Sequence, residues 1–152
     1  MNWDKFKQKF GVNTTSNLDL IKYAGMLKLK PSKCIMRDEI ESLKPNLKKQ
    51  YIIVNIQRSD QEGAHWSAIY TNNDVLYFFD SYALPPERYY PEVKKKFKNK
   101  IRFYGDQKEQ IQTFGKSYCG QMCLYFLYRL SKIKDPTKDD VQHIINEIKN
   151  SE

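Results

Sequence analysis

The stretch "GAHWSAIYTNNDVLYFFDSY", residues 63–82, decides the fold of the chain around it. It holds two runs, "HWSAIYT" and "VLYFFDS", that are rich in the aromatic and β-branched residues typical of strands. Asn72 and Asn73 lie between the runs, and asparagine tolerates the positive φ that a two-residue hairpin turn requires. The sequence therefore predicts a β-hairpin whose turn is formed by these two asparagines.

This turn determines which residues of the two strands face each other. Counting outward from Asn72 and Asn73 brings His65 directly opposite Asp80. Opposed residues in an antiparallel pair have Cβ atoms about 4.5–5.5 Å apart on one face of the sheet. A carboxylate at that distance can orient an imidazole and stabilise its charged form, as in a catalytic triad. A cross-strand ion pair at the sheet edge would produce the same pattern, so the pair alone supports both interpretations.

A candidate nucleophile lies in "CGQMCLYFLYRL", residues 119–130. The segment is apolar around most of its circumference, which predicts a helix buried in the core. Cys119 begins this helix, where the helix dipole and the first N–H groups favour a thiolate, and Gly120 leaves space beside the thiol for a substrate. A small core residue is the other interpretation of Cys119, and it is the one we expect for Cys34 and Cys123.

Acyl transfer also needs hydrogen-bond donors for the developing oxyanion. Gln112 precedes Cys119 by seven residues and could direct its side-chain amide toward the thiol, with the backbone N–H of Cys119 as a second donor. Gln110 is a rival for the same place. The residues alone do not decide between the two glutamines.

The order His65, Asp80, Gln112, Cys119 resembles the cysteine proteases that include the adenovirus maturation protease and the ubiquitin-like-protein proteases. Five segments of the chain more closely resemble the adenain-type cysteine proteases of Maverick or Polinton elements and of virophages of the mavirus kind. The segments are "TSNLDLIKYAGMLKL", "MRDEI", "GAHWSAIY", "YFFDSYALPP" and "SYCGQMCLYFLYRL", and they span residues 15–130.

This resemblance implies a permuted papain-like fold and a catalytic role for each matching residue. Cys119 would be the nucleophile, His65 the general base and acid, Asp80 the residue that orients the imidazole, and Gln112 the oxyanion donor. The aromatic residue after the histidine narrows the substrate site in related proteases, so Trp66 would contact substrate or else pack against the sheet. The adenoviral enzyme has a glutamate where this chain has Asp80.

Activation is where the chain departs most from the adenoviral enzyme. That enzyme is switched on by a viral peptide, through a disulfide, and by DNA. Residues 94–106 contain no cysteine, which argues against disulfide activation here and leaves a peptide or DNA as the expected activator, if one is needed. The basic run "KKKFKNKIR" suits DNA, with Lys94, Lys95, Lys96, Lys98, Lys100 and Arg102 as candidate contacts; a solvated helix end is the alternative.

Length and composition fit this interpretation. The chain has 152 residues, 40% of them hydrophobic, so we expect one cysteine protease domain over residues 1–152. We expect an α+β fold in which a mixed, mostly antiparallel sheet packs against the buried Cys119 helix. The three cysteines include no CxxC pair, which disfavours a zinc site or a disulfide framework. The net charge of +8 would attract polyanions.

Together these features predict a viral thiol endopeptidase that cleaves capsid precursor proteins at sites next to glycine. We expect a monomer that needs no metal or organic cofactor, is not secreted and does not bind membranes, and acts in virions and in the cytoplasm of the infected cell. Two alternatives stay open: a protease or isopeptidase acting on ubiquitin-like proteins, and a non-enzymatic basic module that binds nucleic acid.

Overall fold

The structure is a computed structural model, and it describes residues 1–44, 49–57, 65–82, 90–98, 100–103 and 118–151. The helices in these ranges are α1 (Trp3–Phe10), α2 (Asn17–Met26), α3 (Pro91–Lys96), α4 (Cys119–Ser131) and α5 (Lys138–Asn150), and a 3-10 helix covers Arg37–Ser42. The strands are β1 (Ser32–Met36), β2 (Lys49–Asn55), β3 (Trp66–Asn72), β4 (Val75–Phe79) and β5 (Ile101–Phe103).

The five strands form one mixed sheet in the order β1-β2-β3-β4-β5. The central strands β2, β3 and β4 pair antiparallel, whereas the edge strands β1 and β5 pair parallel with their neighbours. The predicted α+β class and mixed sheet are therefore confirmed, and the antiparallel character belongs to the three central strands.

Side chains on the two faces of the sheet enter two separate apolar clusters, because successive residues of a strand point to opposite faces. In β2, Tyr51 and Ile53 join the larger cluster, which includes α1, α2, α4 and α5. Ile52 and Val54 join the smaller cluster with the 3-10 helix and α3. The sheet is thus covered on both faces.

Helix α4 lies at the centre of the larger cluster and is buried along nearly its whole length, as its apolar circumference predicts. It packs mainly against β3. Contacts also reach it from distant parts of the chain. Gln121 donates from its side-chain amide to the Asn13 carbonyl at 2.8 Å, and the Trp3 ring packs at a tilt against that of Tyr125, with 5.3 Å between the centroids.

The hairpin forms as predicted, but its turn is displaced by one residue. Asn72 pairs with Val75, so the turn residues are Asn73 and Asp74, and Asn73 has the positive φ of 54°. Continued from Ala68 and Phe79, this register brings Asp80 opposite Ser67. The prediction that His65 lies directly opposite Asp80 is therefore wrong, because the turn uses the second asparagine and the aspartate.

Four further elements differ from what the sequence alone suggests. Helix α2 is capped by Ser16 rather than by the neighbouring Asn17, and the Ser16 hydroxyl and Asp19 form a reciprocal capping box. The sequence over 86–98 suits a helix, and in the described residues α3 begins at Pro91 and ends at Lys96. Helix α1 and strand β1 were not predicted at all.

No helix in the described ranges is long and apolar enough to cross a membrane.

Candidate active site

Three candidate residues meet at one end of the sheet. His65 immediately precedes β3, Asp80 immediately follows β4, and Cys119 is the first residue of α4. Since β3 and β4 are antiparallel, the beginning of one lies beside the end of the other. All three residues are buried, with exposed fractions of 4% for His65, 1% for Asp80 and 8% for Cys119.

The carboxylate of Asp80 is held by three donors. His65 Nε2 lies 2.6 Å from Oδ1, the Ser67 hydroxyl donates to the same oxygen at 3.0 Å, and the backbone N–H of Tyr82 donates to Oδ2 at 3.1 Å. An ionised carboxylate only accepts hydrogen bonds, so all three partners favour the same orientation. Asp80 is thereby fixed against the imidazole.

A second layer of hydrogen bonding supports this arrangement from the smaller cluster. The buried Tyr90 hydroxyl lies 3.1 Å from Ser67 Oγ and 3.4 Å from the Val54 carbonyl. Because the Ser67 hydrogen is donated to Asp80, its oxygen is the acceptor for Tyr90. The backbone of His65 is anchored as well, since its carbonyl accepts from the Ile56 N–H at 3.0 Å.

The environment of the imidazole favours its protonated form. Burial by itself lowers the pKa of His65, but hydrogen bonds to Asp80 and Cys119 and the negative charges of both groups outweigh burial and raise the pKa to about 9. Since Asp80 is bonded to Nε2, Nδ1 is the ring nitrogen suited to exchange a proton with Cys119. A thiolate and an imidazolium therefore fit this site together.

The other two cysteines have different surroundings, and all three are free thiols. Cys123 follows Cys119 by one helical turn, is fully buried, and donates to the Trp66 carbonyl at 3.4 Å. Burial raises the pKa of Cys123 well above its ordinary value and that of Cys34 to about 12. Cys123 is therefore an unreactive core residue and Cys34 a half-buried residue whose thiolate is disfavoured, whereas Cys119 lies beside an imidazole.

The N-terminus of α4 supplies donors for an oxyanion. The first N–H groups of an α-helix have no acceptor within the helix, and those of Cys119 and Gly120 occupy this position. The predicted side-chain donor Gln112 and its rival Gln110 lie outside the described residues. Their roles stay predictions.

Two predicted substrate contacts have clear packing roles. A Cβ atom added to Gly120 would lie 2.9 Å from Leu20 Cδ2 and closer still to Thr15 Oγ1, so any side chain at this position would force Leu20 and Thr15 to move. Trp66 is 9% exposed and belongs to the larger cluster. Whether either residue also contacts a substrate stays a prediction.

The candidate nucleic-acid contacts lie on α3 and the residues that follow it. Lys94, Lys95 and Lys98 are exposed, Lys96 and Lys100 are half-buried, and Lys100 donates to the Asn73 carbonyl at the hairpin turn. Arg102 belongs to β5, and its side chain is outside what the structure describes. The exposed lysines form a local positive surface.

Three site residues were missed by sequence reasoning: Ser67, Tyr82 and Tyr90. A signal existed for two of them. Ser67 follows His65 by two positions, which places it on the same strand face. Tyr82 follows Asp80 by two positions, the spacing at which an aspartate accepts a hydrogen bond from the backbone. The described residues contain no cluster of three or more His, Cys, Asp or Glu side chains that could hold a metal.

No protein-family model matches the chain. No curated protein matches its sequence significantly.

Proposed function

We propose that this chain is a cysteine endopeptidase. The observation that carries the proposal is the buried arrangement in which Asp80 holds the imidazole of His65 close to the side chain of Cys119. The three residues come from three different elements and converge at a helix N-terminus, which is the geometry that nucleophilic acyl transfer requires.

The chemistry follows from these positions. The Cys119 thiolate attacks the carbonyl carbon of the scissile peptide bond, and the N–H groups at the start of α4 stabilise the oxyanion. The carbon–nitrogen bond breaks as His65 gives its proton to the leaving amine. Water then attacks the carbonyl carbon of the acyl-enzyme and gives a proton to His65. The carbon–sulfur bond breaks, which releases the carboxylic acid product and restores the Cys119 thiolate.

The finer assignment rests on the sequence resemblance to adenain-type proteases. It comprises a permuted papain-like fold, Gln112 as an additional oxyanion donor, and capsid precursor proteins cut next to glycine as substrates. A monomeric enzyme that acts in virions and in the cytoplasm of an infected cell, without a metal or organic cofactor, belongs to the same proposal. DNA bound at the lysines of α3 is the proposed activator.

The first test needs no substrate. Each cysteine is alkylated with iodoacetamide between about pH 5 and 9, and the rates are measured by peptide mass mapping in the wild type and in His65→Ala. We expect Cys119 to react fast well below the ordinary thiol pKa, and to lose this advantage without His65. Cys34 and Cys123 are internal controls in the same molecule. Equal inertness of all three cysteines, with and without added DNA, would contradict the proposal.

The second test compares substrates. The wild type, Cys119→Ala and the matched control Cys123→Ala are incubated with capsid precursors containing glycine-flanked sites and with ubiquitin-like fusion proteins. We expect cleavage of the precursors by the wild type and Cys123→Ala, and none by Cys119→Ala. Cleavage of the fusions alone would indicate that ubiquitin-like proteins, and not capsid precursors, are the substrates. A Cys119→Ala protein indistinguishable from the wild type would indicate a non-enzymatic module.

A further inference from the structure

The imidazole of His65 is covered on one face by an aromatic ring. The Tyr82 ring lies parallel to it, with 4.0 Å between ring centroids and 16° between ring planes. This is the closest ring pair among the described aromatic contacts, whose other centroid distances begin at 4.6 Å. The ring therefore blocks tilting of the imidazole toward that side.

Tyr82 also acts on the carboxylate through its backbone. Its N–H donates to Asp80 Oδ2 at 3.1 Å, while Oδ1 is occupied by His65 and Ser67. One residue thus holds the Asp80 carboxylate with its main chain and the His65 ring with its side chain. The two constraints are coupled, because a displacement of Tyr82 would disturb both members of the pair.

These constraints matter because of the freedom that a histidine otherwise has. Rotation about the Cβ–Cγ bond turns Nδ1 away from Cys119. The hydrogen bond from Nε2 to Asp80 opposes this rotation, but only if the plane of the imidazole ring stays fixed. A face-to-face neighbour at 4.0 Å fixes the plane. An aromatic face also attracts a cation, so the same ring favours the imidazolium.

We propose that Tyr82 is a positioning residue for the thiolate–imidazolium pair, acting through the ring that stacks on His65. The inference rests on the proposed function and adds a residue to its machinery. The aromatic ring carries the effect, and the hydroxyl is dispensable. Burial raises the pKa of Tyr82, with the negative charges of Cys119 and Asp80 acting in the same direction, so the ring is neutral when the pair forms.

The test compares Tyr82→Phe, which keeps the ring, with Tyr82→Leu and Tyr82→Ala, which remove it and leave the backbone N–H. Tyr128→Ala is the matched control, since Tyr128 is another half-buried tyrosine but lies in the last turns of α4. We expect the Cys119 alkylation rate at pH 6 to fall about tenfold in Tyr82→Leu and Tyr82→Ala, as the loss of one aromatic contact to a cation implies. Tyr82→Phe and Tyr128→Ala should stay within about twofold of the wild type on the same scale.

A spectroscopic measurement separates this inference from the proposed function. The NMR signals of the His65 ring should carry the upfield shift of a stacked aromatic neighbour in the wild type and Tyr82→Phe, and lose it in Tyr82→Ala. Unchanged signals and unchanged alkylation in Tyr82→Ala would overturn the inference, and so would an equal loss in Tyr82→Phe. Wild-type protein with the expected signals but without peptidase activity would contradict the proposed function and leave Tyr82 as the residue that positions His65.

Discussion

Ser67 Oγ donates to Oδ1 of Asp80 at 3.0 Å, the same oxygen that His65 contacts. The hairpin register, continued past Ala68 and Phe79, brings Ser67 opposite Asp80. The serine therefore occupies the direct cross-strand position, and the histidine reaches the carboxylate from the diagonal position two residues away. Tyr90, a residue of the smaller cluster, donates to the oxygen of Ser67.

Replacing Ser67 with alanine should weaken the alignment of Asp80 without removing it. We expect the Cys119 alkylation rate at pH 7 to fall about threefold to tenfold, since a buried hydrogen bond contributes about 0.5–1.5 kcal/mol net. Ser131→Ala is the matched control, because its hydroxyl bonds to a carbonyl at the end of α4. Equal rates in the two variants would show that Ser67 does not act on the site.

Stability should depend on pH through His65. Its pKa is about 9 in the folded protein and about 6.5 in an unfolded chain. A raised folded-state pKa means that the stabilisation is complete below pH 6.5 and is lost as the pH rises through 9. The shift corresponds to about 3 kcal/mol at most, since one pKa unit is about 1.4 kcal/mol.

This stability effect is measured by urea unfolding of the wild type and His65→Gln between pH 6 and about pH 9.5. The free energy of unfolding of the wild type should fall relative to that of His65→Gln across this interval. Asp80→Asn should reduce the fall, because the carboxylate supplies both a hydrogen bond and a charge to the imidazole. Parallel pH profiles for the wild type and His65→Gln would contradict the assigned pKa.

Gly120 and Gly25 should respond in opposite ways to alanine. At Gly120 the added Cβ would collide with Leu20 and Thr15, so we expect a loss of about 1–3 kcal/mol in stability from overpacking. At Gly25, in α2, no atom lies within 4 Å of the added Cβ, and alanine should stabilise by up to about 1 kcal/mol. Thermal unfolding of the two variants tests this; a neutral Gly120→Ala would show that α2 can move aside.

The exposed lysines on α3 and just after it should control DNA binding. We expect the triple variant Lys94→Gln, Lys95→Gln, Lys98→Gln to lower the slope of log affinity against log salt by up to about 3, since each phosphate contact contributes about 0.9 for duplex DNA. The control replaces three exposed lysines elsewhere, Lys5, Lys22 and Lys30. Equal losses in both variants would indicate an effect of net charge alone.

The hairpin shows what the sequence could predict and what it could not. Two extended runs around an asparagine pair predicted both strands and brought His65 and Asp80 together, because the alternation of a strand is read directly from the residues. The register was wrong by one turn residue, since asparagine and aspartate both suit such turns. His65 and Asp80 are nevertheless in contact, because the imidazole and carboxylate side chains are long enough to span the diagonal distance between the two strands.

The elements that the sequence did not reveal depend on distant packing. Strand β1, "SKCIM", is short and pairs with β2 at one edge of the sheet that the structure describes, so nothing local distinguishes it from a loop. Helix α1 carries its apolar residues Trp3, Phe6 and Phe10 among charged ones, and they become core only when they pack against α4 and α2. Similarly, the hydroxyl of Ser67 finds its partners, Asp80 and Tyr90, 13 and 23 residues away in the chain.

The position of α4 in the larger cluster bears on the order of events during synthesis. This helix joins Gln121 to Asn13 across 108 residues of chain and Cys123 to Trp66 across 57. Contacts of such separation form late, because a long loop must close before they are gained. The contacts that hold α4 in the core therefore form only after this helix has been synthesised, when α1 and the hairpin are already present in the growing chain.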